Sequence, residues 1–227
     1  MLTVVNSTRI FLVRHGATDL TAEGRFSGEV GVDLSDEGRW QAQLLAERMR
    51  RETLSAIYSS PLSRTMETAR IIGERCGLEA VTVDGLREMR HGRWEGLTRD
   101  EVEERFGDEY ATWEEDPFTF APEGGENGVA VLARALPALR AIVTRHAGER
   151  VLVVSHKATI RILISSILGF DARGYRDRLD QAPACLNVLD FRGAVHARLM
   201  LFNDTSHYSE RPRVVTDSLS KWWDETR

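Results

Sequence analysis

Val151-Leu152-Val153-Val154 runs directly into Ser155-His156-Lys157. Four consecutive aliphatic residues closed by polar ones read as a strand buried on both faces, and a helix from about Ala158 to Leu168 returns behind it. The same pattern occurs twice earlier. Ile10 to Val13 is an apolar run that stops at Arg14-His15-Gly16, and Ala56-Ile57-Tyr58 runs into Ser59-Ser60-Pro61 ahead of a helix from about Leu62 to Arg75. Strands alternating with helices predict an α/β fold. The expected form is a mostly parallel central sheet with helices on both faces, a three-layer α/β/α arrangement whose ligands collect at the carboxyl ends of the strands. Here those ends carry Arg14-His15, Ser59-Ser60 with Arg64, and Ser155-His156. If they converge, two histidines and two arginines share one pocket, which predicts an anion site.

The remaining elements fit around these strands. Ser35 is a plausible N-cap for a helix carrying Trp40, Leu44, Leu45 and Met49 at helical spacing. Pro61 suits a first helical turn, where its missing donor costs nothing. A strand is expected near Ala80 to Val83, a charged, glycine-rich loop over Leu86 to Gly96, and a polar helix over Arg99 to Trp113. Pro117 to Gly128 reads as a connection and Gly128 to His146 as an amphipathic helix with a kink or break at Pro137. Two late strands, Cys185 to Phe191 and His196 to Phe202, are joined by a turn at Arg192-Gly193. The expectation is one domain over 1–227, with an inserted helical and loop region at about 86–128 and a polar tail at about 204–227.

Composition narrows the function. The 227 residues carry 30 basic and 35 acidic side chains, a formal net charge of -5, which argues against general attraction to nucleic acid or to an anionic membrane. Any anion site must be a local cluster. Cys76 and Cys185 are the two cysteines, too few for a disulfide framework or a four-ligand zinc site, and a reducing cytosol is the expected compartment. Met1 to Ser7 shows no secretory pattern. The apolar region Val151 to Phe170 is interrupted by His156, Lys157 and Arg161, which suits a strand and helix better than a membrane span.

Phe11-Leu12-Val13-Arg14-His15-Gly16-Ala17-Thr18 resembles the signature of the histidine phosphatase superfamily, the phosphoglycerate mutase-like family. The likeness covers most of the chain. It continues in Arg25 and Gly28, Asp33-Leu34-Ser35 with Gly38, Ser59-Ser60-Pro61-Leu62-Ser63-Arg64-Thr65 with Thr68-Ala69, and Leu86-Arg87-Glu88. Gly92, Trp94-Glu95-Gly96, Gly124-Gly125-Glu126 and Val153-Val154-Ser155-His156 complete it.

The resemblance implies a phosphatase of small phosphomonoesters with neither metal nor cofactor. His15 would be the nucleophile, its other ring nitrogen held by a backbone carbonyl, and Glu88 the proton donor and acceptor. Arg14, Arg64 and His156 would hold phosphate, with Thr18, Thr21, Arg25, Gly28 and Lys157 as further substrate contacts. Family habit implies a homodimer.

Three positions depart from the pattern. Thr21 stands where many members have asparagine, Lys157-Ala158 where many have glycines, and Asn127 where serine is frequent. Lys157 either meets a substrate carboxylate or second phosphate, or is merely solvated. Arg87, Arg90, His91 and Arg93 either favour an acidic substrate or form a solvated loop balancing Glu88 and Glu95. Trp94 and Trp113 either wall a pocket or complete a core. Competing functions are phosphoglycerate mutase-type transfer, a silent phospholigand-binding module, and a metal-dependent hydrolase. The last is disfavoured by a pocket with cations where a metal needs carboxylates. Trp222-Trp223 is read as an aromatic pair that docks on its own domain or on a second subunit.

Overall fold

Ile10, Phe11, Leu12 and Val13 alternate between the two faces of strand β1 (Thr8–Arg14), yet all four are buried. A strand without a wet face must be covered on both sides. The computed structural model, which describes residues 7–209, shows that cover. After β1 come a one-turn helix α1 (Asp19–Ala22), α2 (Asp36–Met49), β2 (Ala56–Ser59), α3 (Ser63–Cys76) and β3 (Ala80–Thr82). They are followed by α4 (Arg99–Glu115), α5 (Gly128–Arg145), β4 (Arg150–Ser155), α6 (Lys157–Leu168), α7 (Tyr175–Arg178), β5 (Leu186–Arg192) and β6 (His196–Asp204). The sheet order is β3-β2-β4-β1-β5-β6. Its first four strands pair in parallel, and the β1–β5 and β5–β6 pairs are antiparallel.

Helices α2 and α3 cover one face, where Ala42, Leu45, Met49, Ala69 and Ile72 pack on Phe11, Val13, Ile57, Leu152 and Val154. Helices α5 and α6 cover the other with Leu139, Ile142, Ile160 and Leu163 against Ile10, Leu12, Val151 and Val153. Full burial of each such side chain contributes about 1.5–3 kcal/mol, so the paired central strands β1 and β4 are the best anchored part of the chain. Their carboxyl ends are correspondingly fixed.

Local signals explain most boundaries. The Ser35 hydroxyl accepts from Gly38 N at 3.2 Å, as an N-cap does. Asn127 accepts from Ala130 N at 2.9 Å and caps α5, the structural use of that departure from the family pattern. Thr98 and Glu101 form a reciprocal capping box at α4.

Two proline expectations are corrected. Pro61 lies outside α3, because Leu62 is still extended and serves as N-cap. Helix α5 runs on through Pro137 without a break, held along its length by Ala135, Leu139 and Ile142 in the core. Helix α4 instead departs from helical geometry at Phe106 (φ -139°, ψ 43°). It packs Val102, Tyr110 and Trp113 on Phe26 and Trp94, so both tryptophans complete a small separate core.

The start of the expected tail belongs to the folded body. Asp204 ends β6 and accepts from Arg48 Nη1 at 2.5 Å, while Tyr208 Oη donates to Pro183 O at 2.7 Å. Trp222-Trp223 lies outside the described residues. Among those described, no helix is long and apolar enough to cross a membrane.

Candidate active site

Strand β1 carries His15 to the carboxyl edge at the middle of the sheet, where its backbone N–H donates to Ser155 O at 3.1 Å, beside the end of β4. The turn that follows presses against the start of α2. A Cβ on Gly16 would lie 2.4 Å from Gly38 O, and one on Gly38 would lie 2.0 Å from Ala17 O. Only glycine permits this approach, which fixes the backbone immediately after His15.

The His15 ring is buried, and its Nδ1 lies 2.7 Å from Gly16 O. A carbonyl oxygen can only accept, so Nδ1 carries the proton and Nε2 keeps its lone pair. Burial, then the charges of Arg64 and Arg14, hold the imidazole pKa well below its ordinary value. At neutral pH the ring is therefore uncharged, in one tautomer, with a nucleophilic nitrogen.

Buried hydrogen-bond donors surround it. Arg14 donates from Nη1 to Gln181 O at 2.6 Å. Arg64, fully buried, donates from Nη1 to Val30 O at 3.0 Å and from Nη2 to Gly28 O at 2.6 Å. The His156 ring lies 5.2 Å from that of His15, with Nε2 2.8 Å from Ser60 Oγ. Among the described residues, Arg14 Nε, Arg64 Nε and His156 Nδ1 are buried with no hydrogen-bond partner. Unpaired buried polar groups cost roughly 1–3 kcal/mol each, and those around the His15 ring remain available to a further partner.

Glu88 reaches the start of α6, just after His156. It follows a short 3-10 turn (Asp84–Leu86) and is buried. Its Oε1 accepts from Met89 N at 3.0 Å and Thr159 N at 3.2 Å, and its Oε2 accepts from Ala158 N at 3.2 Å. His156, the N-cap of α6, makes no side-chain capping bond. Glu88 does that work from across the pocket, satisfying N–H groups that a helix start leaves open.

The Glu88 loop is itself clamped. Arg134 on α5 donates to Gly85 O at 3.0 Å and to Arg87 O and Glu88 O at 2.8 Å, and pairs with Glu126 at 2.9 Å. Ser155 Oγ and Thr159 Oγ1 hold Leu86 O and Arg87 O at 2.8 and 2.7 Å. Sequence reasoning missed Arg134. The available signal was Glu126 in the Gly-Gly-Glu motif, which needs a buried cation.

The other expected contacts divide. Thr18 caps α1, with its Oγ1 accepting from Thr21 N at 3.2 Å and lying 2.9 Å from Thr21 Oγ1, so the two hydroxyls serve each other. Arg25 is committed to Glu23, to Gly96 O and to Glu101. Gly28 positions Arg64 through its carbonyl. Its φ of +43° and the Glu95 carboxylate, 2.0 Å from where a Cβ would sit, require glycine there.

Lys157 begins α6 beside His156, with Nζ 3.6 Å from Asp180 Oδ1. In the basic loop, Arg87 pairs with Glu29, Arg90 with Glu126, and Arg93 with Glu109 and Glu123, so the counter-charges are these rather than Glu88 and Glu95. His91 is not a solvated loop residue. Its ring meets Phe26 edge-on, its Nδ1 is buried without a hydrogen-bond partner, and burial pushes its pKa down to about 4 against the pull of Glu88 and Glu126.

The sequence pattern of the histidine phosphatase superfamily (branch 1) matches residues 10–205, and the chain belongs to that family. Among its relatives is phosphoserine phosphatase 1 of Hydrogenobacter thermophilus, 38% identical over 163 residues that cover 72% of this chain and 77% of the relative. Glucosyl-3-phosphoglycerate phosphatase of Mycolicibacterium vanbaalenii is 36% identical over 169 residues, 71% of this chain and 74% of its own. The solved structure of Bacillus stearothermophilus YhfR superposes with a TM-score of 0.83 at 30% identity, over 88% of this chain and 98% of that one. The sheet and its helical layers are thus those of the phosphoglycerate mutase-like fold, and the relatives make the chain a phosphatase of this superfamily.

Proposed function

We propose that the enzyme hydrolyses a small phosphomonoester through a phosphohistidine on His15, with Glu88 donating and then accepting a proton. The observation that carries this reading is the neutral, single-tautomer imidazole flanked by Arg14, Arg64 and His156, of which Arg14 Nε, Arg64 Nε and His156 Nδ1 are buried without a protein partner. In the first step His15 Nε2 attacks phosphorus and the ester P–O bond breaks. The departing alkoxide takes the proton from Glu88 and leaves as the alcohol. In the second step water attacks phosphorus, Glu88 takes the water's proton, and the P–N bond breaks to release phosphate and neutral His15.

Arg14, Arg64 and His156 hold the equatorial oxygens and stabilise the charge that spreads over them in each transition state. The Glu88 oxygens differ in a way that suits the role. Oε1 accepts from two backbone N–H groups and the Thr159 hydroxyl, whereas Oε2 accepts from one backbone N–H alone among the described residues. Guanidinium charge supplies the electrostatics that a metal supplies elsewhere. Among the described residues, no three His, Cys, Asp or Glu side chains gather as a metal set.

The test is a panel of phosphomonoesters assayed for phosphate release with wild type and His15→Ala, together with a 3-phosphoglycerate isomerisation assay. Hydrolysis lost by a factor of about 10³ or more in the variant, without isomerisation, supports the reading. Equal hydrolysis by the two proteins overturns it.

A further inference from the structure

Lys157 opens α6 directly after His156, and Arg161 follows on the same helix face one turn later. Both lean on one carboxylate: Asp180 Oδ1 is 3.6 Å from Lys157 Nζ and 3.1 Å from Arg161 Nη2. Arg161 Nε, like Arg14 Nε, is buried with no hydrogen-bond partner. Arg14, a member of the phosphate cradle, is close enough to act electrostatically on Lys157, Arg161 and Asp180. Asp177, the other acid that Arg161 feels, is held by Arg176 at 2.9 Å.

Two cations therefore share Asp180, and the next residue, Gln181, accepts from Arg14 Nη1 at 2.6 Å through its carbonyl, which ties this cluster to the His15 site. Burial, then Arg161 and Arg14, push Lys157 down to about 7, while burial and Arg14 push Arg161 down to about 10; Asp180 opposes both shifts. Lys157 and Arg161 against the single Asp180 carboxylate leave this cluster one negative charge short. The Lys157 side chain remains 34% exposed, so an arriving ligand can reach it.

We propose that Lys157 and Arg161 bind a carboxylate of the substrate, so that the enzyme selects phosphomonoesters bearing a carboxylate a few bonds from the ester oxygen. This rests on the phosphatase reading of the His15 site. A carboxylate fits better than a second phosphate. Asp180 already sets one carboxylate oxygen, Oδ1, between these cations, and one ammonium with one guanidinium Nε offers too few donors for a phosphate dianion. Charge matters as much as shape here, because the missing counter-ion belongs to a partly buried group.

The test compares esters that differ only in the carboxylate: phosphoserine against phosphoethanolamine, and 3-phosphoglycerate against glycerol 3-phosphate. Wild type should favour the carboxylated member of each pair by about tenfold or more in kcat/KM, the value of one charge-assisted hydrogen bond. Lys157→Met should bring the ratio close to one through KM, and Lys157→Arg should restore most of it.

A wild-type ratio near one, or a ratio unmoved in Lys157→Met, overturns the inference. So does a stronger, Lys157-dependent preference for a bisphosphorylated sugar. Dissociation constants of the same pairs, measured by calorimetry on His15→Ala and on His15→Ala with Lys157→Met, give the ratio without turnover. A Lys157-dependent preference there supports the carboxylate site and its absence overturns it. Wild type that binds with this preference yet hydrolyses none of the esters overturns the phosphatase reading alone.

Discussion

Replacing Glu88 by glutamine separates proton transfer from shape, because it changes one oxygen to an amide. A glutamine that keeps its oxygen at the Oε1 position retains the bonds from Met89 N and Thr159 N and turns its NH₂ toward Ala158 N, donor against donor. Losing that charge-assisted bond and leaving the N–H unpaired costs about 1.5–3 kcal/mol. For a chain of this size the Tm falls by roughly 3–12 °C. Activity falls further, since a positioned general acid contributes about 10²–10⁴ in rate. The loss depends on the leaving group. An alkoxide must be protonated as it departs, whereas nitrophenolate leaves as an anion. Because kcat/KM reports steps up to the first irreversible one, Glu88→Gln should lower it by about 10²–10⁴ for an alkyl phosphate and by roughly tenfold or less for nitrophenyl phosphate. Steady-state assays with both esters, run below the variant's Tm, give the comparison. Equal losses on the two esters refute proton donation by Glu88, and no loss on either refutes any role for it.

Three further outcomes follow from the geometry. Gly28→Ala puts a methyl group into the Glu95 carboxylate and strains a left-handed backbone whose carbonyl holds Arg64. Stability should drop by about 1–2 kcal/mol and kcat/KM by about tenfold, and an unchanged kcat/KM counts against Arg64 as a phosphate ligand. The Lys157 ammonium, which faces Asp180, Arg161 and Arg14, titrates near pH 7. Its charged form is the one that binds a carboxylate, so the KM ratio of phosphoserine to phosphoethanolamine should be flat below about pH 6 and climb above about pH 7; a flat ratio through pH 9 contradicts this. Dialysis against a chelator should leave hydrolysis unchanged, and activity lost and then restored by a divalent ion would place a metal in the reaction.

Much of the site is legible in the sequence because each piece is local. An apolar run ending in Arg14-His15-Gly16, and another ending in Ser155-His156, announce both the strand and what stands at its end. Parallel pairing of β1 with β4 then makes those ends adjacent. What escapes the sequence is held by contacts between distant residues. Arg134 reads as one more charge on an amphipathic helix, and its role emerges only when α5 lies along the Glu88 loop.

Asp180 and Gln181, in a stretch with no clear periodicity, come to matter because the chain passes Arg14 and Arg161 on its way into β5. Pro137 misleads for the same reason, and the Arg87–Arg93 loop takes counter-charges other than Glu88 and Glu95. Core packing outweighs proline's preference in α5, and distant glutamates neutralise a loop that looks basic. His91 is charged-looking in sequence and half-buried against Phe26 in the fold.

The most direct test of the mechanism is to trap phosphate on His15. Glu88→Gln mixed with nitrophenyl phosphate should form the phosphoenzyme quickly and hydrolyse it slowly. An alkaline quench within the first turnover, followed by peptide mass spectrometry, should then find phosphate on the imidazole of His15 and lose it on brief acid treatment. A burst of nitrophenol with no phosphate on His15, or with phosphate on another side chain, would contradict the mechanism.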